Sequence, residues 1–287
     1  MNPSEPGKPI VSQSQPYQTE LAVAVRAARA GAAELMARRD DRTVHYKGPK
    51  DLVTDADLAS QTAIRSILES EFPADAFVGE ERGETEPPEA ARRGDADAPR
   101  CWVVDPLDGT INYVHRLQSF AVSIALHAAG RMRVGVIYDP VTDQMFTATD
   151  GGRATCNGET IAPSGRTEMS QSLIACSFPA GVKGEDPEIR RFIRVLESCR
   201  SIRRLGSCAL NLCYVAAGRL DAYWAPHVHT WDAAAGGLIA RVAGVSMTTP
   251  EGNDIDDWNP RPCVSASPEL HEELLRLLAI NDPSAGG

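Results

Sequence analysis

The hexapeptide Asp105-Pro106-Leu107-Asp108-Gly109-Thr110 places two carboxylates and a hydroxyl directly after the apolar run Cys101-Trp102-Val103-Val104. That run reads as a strand buried on both faces. Pro106 cannot donate to a ladder, so the chain is expected to turn where the carboxylates begin. Two carboxylates sharing a poorly hydrated site cannot both stay ionised without compensation; one takes up a proton, or a cation neutralises them. Gly109 lets the backbone approach a ligand closely, and Thr110 supplies a hydroxyl. The structural alternative is that the acids only cap turns and a following helix.

Further acids lie at the ends of expected elements: Asp51 and Asp57 around a helix start, Glu80 in Gly79-Glu80-Glu81, and Asp232 in Trp231-Asp232-Ala233-Ala234-Ala235-Gly236. Each also has a purely structural use. Asp57 with Thr54 makes a capping-box variant, and Asp232 gains from the dipole of the helix it opens. Glu81 reads as solvated.

The elements that must position these residues follow from periodicity and punctuation. Thr19 to Arg39 is Ala-rich with apolar residues at helical spacing, and a second helical pattern opens at Thr54 and ends before Pro73. Phe77-Val78 is a short strand, and Arg82 to Arg100, polar and holding three prolines, is expected to be a mobile surface loop. Ser119 to His127 and Arg131 to Tyr138 alternate around Ala129-Gly130 as a hairpin, with Gln144 to Thr149 as a third strand. Beyond Pro163 strands are expected at Leu173 to Phe178, Ser201 to Leu205, Asp221 to Ala225, Val245 to Thr248 and Pro262 to Ala266. Helices are expected at Pro187 to Ser198, Ser207 to Ala217, His229 to Ala243 and Pro268 to Ala279. A meander followed by alternating units suggests a layered α/β protein in two lobes divided near residue 160. Residues 1–18 are then a disordered tail, 19–160 an N-terminal α+β lobe carrying most of the acids, and 161–281 a C-terminal α/β lobe contributing Asp232 and a substrate pocket.

The 287 residues suffice for a large core without disulfides, and the seven cysteines form no Cys-x-x-Cys pair. A reducing compartment, the cytoplasm, fits that usage. Met1 to Gln18 is rich in Pro, Ser and Gln, which matches neither a signal peptide nor a membrane anchor. A net charge of −10 argues against a broad nucleic-acid surface. It would also repel anionic substrates unless bound cations invert the local field. No dinucleotide-binding or P-loop glycine fingerprint occurs, nor a Gly-x-Ser-x-Gly elbow.

In order and spacing, four segments resemble the inositol monophosphatase family of lithium-sensitive, magnesium-dependent phosphatases: Lys47 to Asp57, Gly79-Glu80-Glu81, Trp102 to His115, and a last set comprising Leu205-Gly206-Ser207, Ala217 to Tyr223 and Trp231 to Gly237. The resemblance implies an α/β (α+β) fold, a layered αβαβα sandwich of the inositol monophosphatase and fructose-1,6-bisphosphatase type. It implies that Glu80, Asp105, Asp108, Asp232 and the main-chain carbonyl of Leu107 hold two or three Mg²⁺ ions, with Asp51 and Asp57 helping to hold a weaker one. Glu80 and Thr110 would orient the attacking water, with Asp57 counted in the catalytic set. Magnesium suits this choice independently, because it is a hard ion that prefers oxygen ligands and no His or Cys ligand spacing is present.

Gly109, Thr110, Gly206, Ser207, Ala225 and His227 are expected to bind substrate, with Trp224 a further candidate. Relatives acting on inositol phosphate carry a glutamate a few residues before the Trp-Asp pair, and here Ala225 stands there. The implied substrate is a small alcohol phosphate, inositol monophosphate first. Histidinol phosphate, fructose 1,6-bisphosphate and the 3′-phosphate of adenosine bisphosphates are alternatives. From a different class, the chain could be a non-catalytic partner of the transcription or translation machinery, a role that would free it to lose metal ligands. A homodimer and lithium sensitivity are expected from the resemblance alone.

Overall fold

The computed structural model describes residues 16–40, 44–48, 51–81, 86–95, 97–179 and 181–279. The expected N-terminal tail lies almost wholly outside them. In chain order come α1 (Gln18–Ala37), the hairpin β1 (Val44–Gly48) and β2 (Asp51–Thr54), α2 (Asp55–Glu71), β3 (Ala76–Gly79), the single turn α3 (Glu89–Arg92), β4 (Cys101–Asp108) and α4 (Thr110–Val114). A meander follows, of β5 (Ala121–Ala128), β6 (Arg131–Asp139) and β7 (Gln144–Thr149), with the two-residue strands β8 (Thr155–Cys156) and β9 (Glu159–Thr160). Then come β10 (Leu173–Cys176), α5 (Pro187–Ser198), β11 (Ser201–Arg203), α6 (Cys208–Ala216), β12 (Ala222–Trp224), α7 (Thr230–Ala243), β13 (Ser246–Thr248), β14 (Cys263–Ser265) and α8 (Pro268–Leu278).

A seven-stranded sheet runs β3-β4-β5-β6-β7-β8-β9, antiparallel except for the β3–β4 pair. The second sheet, β11-β10-β12-β14-β13, mixes parallel and antiparallel pairs. Strand alternation sorts side chains between layers. Trp102 and Val104 of β4 face α1 and α2, packing with Ala24, Ala28, Ile64 and Leu68. Cys101 and Val103 face the other way, into a core shared with Leu210 and Leu212 of α6, Leu238 and Ile239 of α7, and Tyr223 and Val264 of the second sheet. Ile174, Trp224 and Cys263 turn outward onto Val195 of α5 and Leu270 and Leu274 of α8. The result is five layers, αβαβα, as the resemblance implied.

The structure departs from the sequence reading in three places. The chain does not turn at Pro106: β4 continues to Asp108 through an irregular step, because a bulge asks for no ladder hydrogen bond where proline lacks its N–H. The expected loop from Arg82 to Arg100 contains α3, whose Ala91 is buried, so the described part of it is not wholly loose surface. The β1–β2 hairpin was not anticipated.

Candidate metal centre and substrate cleft

On β4, Asp105 pairs with Ser123 and Asp108 with Ala121, so three steps on β4 match two on β5. In a regular strand, residues three apart point to opposite faces. The extra residue resets that parity and turns both carboxylates towards α7. Asp232, in the first turn of α7, meets them there: the three side chains offer oxygens all within 4.8 Å of one another. Its own Oδ2 accepts from the His229 N–H at 2.8 Å, a capping bond in addition to the dipole interaction expected from its place in the first turn.

This cluster is short of positive charge. Burial, followed by the charges of Glu80, Asp108 and Asp232, pushes the Asp105 carboxyl well above the usual range. Burial and then Asp232 raise Asp108 to about 7, against the opposing pull of Ser207 and the amides of Ala209 and Cys208. Asp232 is likewise raised to about 7 by burial and then the charge of Glu80, while the His229 amide acts against the rise. Glu80 therefore belongs to the same electrostatic neighbourhood. It follows β3 directly, with its N–H donating to the Val104 carbonyl at 3.3 Å.

Asp108 is tied to the start of α6 as well. Ser207 Oγ donates to it, and the amides of Cys208 and Ala209 at the start of α6 donate to it at 3.2 and 2.8 Å. Thr110 opens α4, with its hydroxyl donating to the Leu107 carbonyl at 3.1 Å and lying 3.4 Å from Asp57 Oδ1. Asp57, fully buried, accepts from the Thr54 N–H and hydroxyl at 2.9 and 2.5 Å, the predicted capping box. Burial raises its carboxyl to about 6, with the Thr54 hydrogen bonds opposing and Glu81 adding repulsion. Glu81 itself is 2% exposed, its backbone clamped by Gln61, which corrects the expectation that it is solvated. The side chain of Asp51 lies outside the described residues.

Beside the carboxylates opens a cleft of about 470 Å³ whose lining includes Gly109, Thr110, Ser177, Arg204 and Gly206. Gly109 and Gly206 have φ of 97° and 83°, and a Cβ on either would press on its neighbours: 2.9 Å from the Ser119 carbonyl for Gly109, 2.6 Å from Asn112 Nδ2 for Gly206. Ser207 serves the cleft indirectly, through Asp108. Ala225 and His227 do not line it, contrary to the sequence expectation. Period-two alternation carries Ala225, with Tyr223, into the inter-sheet core, whereas His227 is exposed outside the lining. Trp224 faces α5 and α8 for the same reason. The sequence reading missed Ser177 and Arg204; the one available signal was that Arg204 immediately precedes Leu205-Gly206-Ser207.

Residues 17–282 match the sequence profile described as Inositol monophosphatase family. The chain belongs to the inositol monophosphatase family. It is 36% identical over 269 residues to inositol monophosphatase 1 of Solanum lycopersicum, covering 91% of this chain and 95% of that protein. It is 38% identical over 259 residues to the Nus factor SuhB of Pasteurella multocida, covering 89% and 94% respectively. Among solved structures, the inositol monophosphatase from Anabaena superposes with a TM-score of 0.80 at 33% identity, covering 94% of this chain and all of that one. Membership of the inositol monophosphatase family supports phosphatase activity; the family is metal-dependent, and the oxygen-only cluster of Asp105, Asp108 and Asp232 could hold a hard divalent cation.

Proposed function

We propose that the protein hydrolyses a small alcohol phosphate, inositol monophosphate first, by in-line attack of water at phosphorus in the presence of Mg²⁺. The observation that carries this reading is the convergence of three carboxylates whose affinity for protons is raised by burial and mutual repulsion. Such a group of oxygens binds a cation strongly, because neutralisation relieves a cost that folding has already imposed.

Asp105, Asp108, Asp232, Glu80 and the Leu107 carbonyl would hold two ions, and Asp57 with Asp51 a further one. When bound, magnesium supplies Lewis-acid stabilisation of phosphoryl charge and eases ionisation of the attacking water. Thr110, held between the Leu107 carbonyl and Asp57, would orient that water together with Glu80. The one Thr110 hydroxyl hydrogen can go to the Leu107 carbonyl or to Asp57 Oδ1, and in either case the oxygen keeps lone pairs to accept from the water. Gly109 and Gly206 line the cleft, and their missing Cβ atoms let its wall pack closely against Ser119 and Asn112.

A second reading draws on the Nus factor SuhB of Pasteurella multocida: a partner of the transcription apparatus. A partner role does not require the carboxylates to converge, so the cluster favours hydrolysis. Phosphate release from inositol 1-phosphate, histidinol phosphate, fructose 1,6-bisphosphate and adenosine 3′,5′-bisphosphate with Mg²⁺ tests the proposal. Turnover of at least one supports it; none, together with capture of RNA polymerase, supports the partner reading.

A further inference from the structure

Of the described residues lining the cleft, only Arg204 carries charge. It is exposed, and among the described residues it makes no ion pair. Its guanidinium instead lies over the Phe178 ring, 4.9 Å from the centroid, and Phe178 is braced by Phe192 at 5.6 Å and 74°. Stacking on an aromatic face holds a guanidinium in place while leaving its N–H groups available. The backbone beside it is also fixed, because the Leu205 carbonyl accepts from Asn112 Nδ2 at 2.7 Å, which ties this segment to α4 and thus to Thr110.

A neutral polyol phosphate has one anionic group, and the carboxylate cluster with its cations accounts for that group. The Arg204 guanidinium is then left without a counter-ion in the cleft. We infer that Arg204 selects substrates whose alcohol portion carries a second anionic group, a further phosphate or a carboxylate. The inference rests on the phosphatase reading above and refines its substrate class, placing esters with a second anionic group ahead of inositol monophosphate, which has none. A guanidinium offers paired donors that match either group, which a lysine does only as a point charge.

The test uses the full-length protein with Mg²⁺ and two esters that differ only in the second phosphate, fructose 1,6-bisphosphate and fructose 1-phosphate, with inositol 1-phosphate alongside. The parent is expected to favour the bisphosphate in kcat/KM. Arg204→Ala should lower the ratio of bisphosphate to fructose 1-phosphate by about tenfold or more, the scale of a lost hydrogen bond to a charged group. Arg204→Lys should retain part of the ratio, and raised salt should compress it in the parent. A ratio within twofold of the parent's in Arg204→Ala overturns the inference, since the arginine then treats both esters alike. Turnover of inositol 1-phosphate with neither fructose ester accepted overturns it too and leaves the phosphatase reading standing. Phosphate release from none of the three overturns both.

Discussion

Asp105 and Asp108 lie three positions apart on β4 and face the same side of the sheet. The bulge at Pro106-Leu107 makes that possible, and α7 brings Asp232 to the side so created. The position of Asp108 is fixed from two directions, by its strand and by the opening amides of α6. Replacing it by Asn removes ligand charge and keeps one acceptor oxygen for the Ala209 amide and the Ser207 hydroxyl, while its NH2 faces the Cys208 N–H and that bond is lost. Asp108→Asn is therefore expected to stay folded by circular dichroism yet lose more activity than the ~10–100-fold typical when only a residue orienting a ligand is lost. Turnover like the parent's would remove Asp108 from the metal centre.

The metal-free protein should lose stability as pH rises from about 4 to 7. Asp57, Asp108 and Asp232 have carboxyls raised to about 6, 7 and 7. In that window the folded state binds more protons than the unfolded chain, whose carboxyls titrate near 4, so unfolding becomes easier with each step up in pH. Below both ranges the two states are equally protonated and the penalty vanishes. Thermal unfolding with chelator at pH 5 and pH 7.5 checks this: Tm should be lower at pH 7.5, and added Mg²⁺ should restore it most at that higher pH. A chelated protein whose Tm rises over this interval would contradict the charge excess at the cluster.

Thr110 bridges the Leu107 carbonyl and Asp57 through one hydroxyl. Thr110→Ala should reduce kcat by about 10²–10⁴-fold, the usual range for a positioned proton-transfer partner, and Thr110→Ser should recover most of it. Equal losses in both variants would point to the methyl group and its packing instead.

Gly206→Ala puts a Cβ 2.6 Å from Asn112 Nδ2 at a φ of 83°. The left-handed conformation alone costs a non-glycine residue about 1–2 kcal/mol. Asn112 must also yield its hydrogen bonds to the Ser119 and Leu205 carbonyls. Chemical denaturation should show a loss of at least that size with an unchanged m-value, and a shift smaller than about 0.5 kcal/mol would mean that the segment relaxes freely.

Hydrolysis of a phosphate ester made chiral with oxygen isotopes should proceed with inversion at phosphorus, because water attacks directly in line. Retention would require a phosphoenzyme and would overturn the single-displacement mechanism proposed.

Much of the scaffold was legible in the chain. The apolar spacing of Ala24, Ala28, Ile64 and Leu68 and the alternation of β5 to β7 produced helices and strands at the expected places, since a buried face imposes a period on its sequence. The capping box of Thr54 and Asp57 was legible for the same local reason. The substrate side was less so. Ala225 was expected beside the substrate, but strand alternation buries it in the inter-sheet core. Arg204 has no periodicity of its own to announce it, and its place in the cleft depends on Phe178, far away along the chain.

By itself the sequence determined which residues bear charge, where most of the longer helices and strands lie, and which order of acidic motifs relates the chain to its family. Pro106 was compatible with either a turn or a bulge, because both dispense with its missing N–H. Only the tertiary structure decided between them, and with that decision the face to which Asp108 points. It also brought Asp232 and the start of α6 to that face, and it raised the proton affinity of the carboxylates. Those outcomes depend on the packing of α6 and α7 between two sheets, a long-range arrangement that no short stretch of residues encodes.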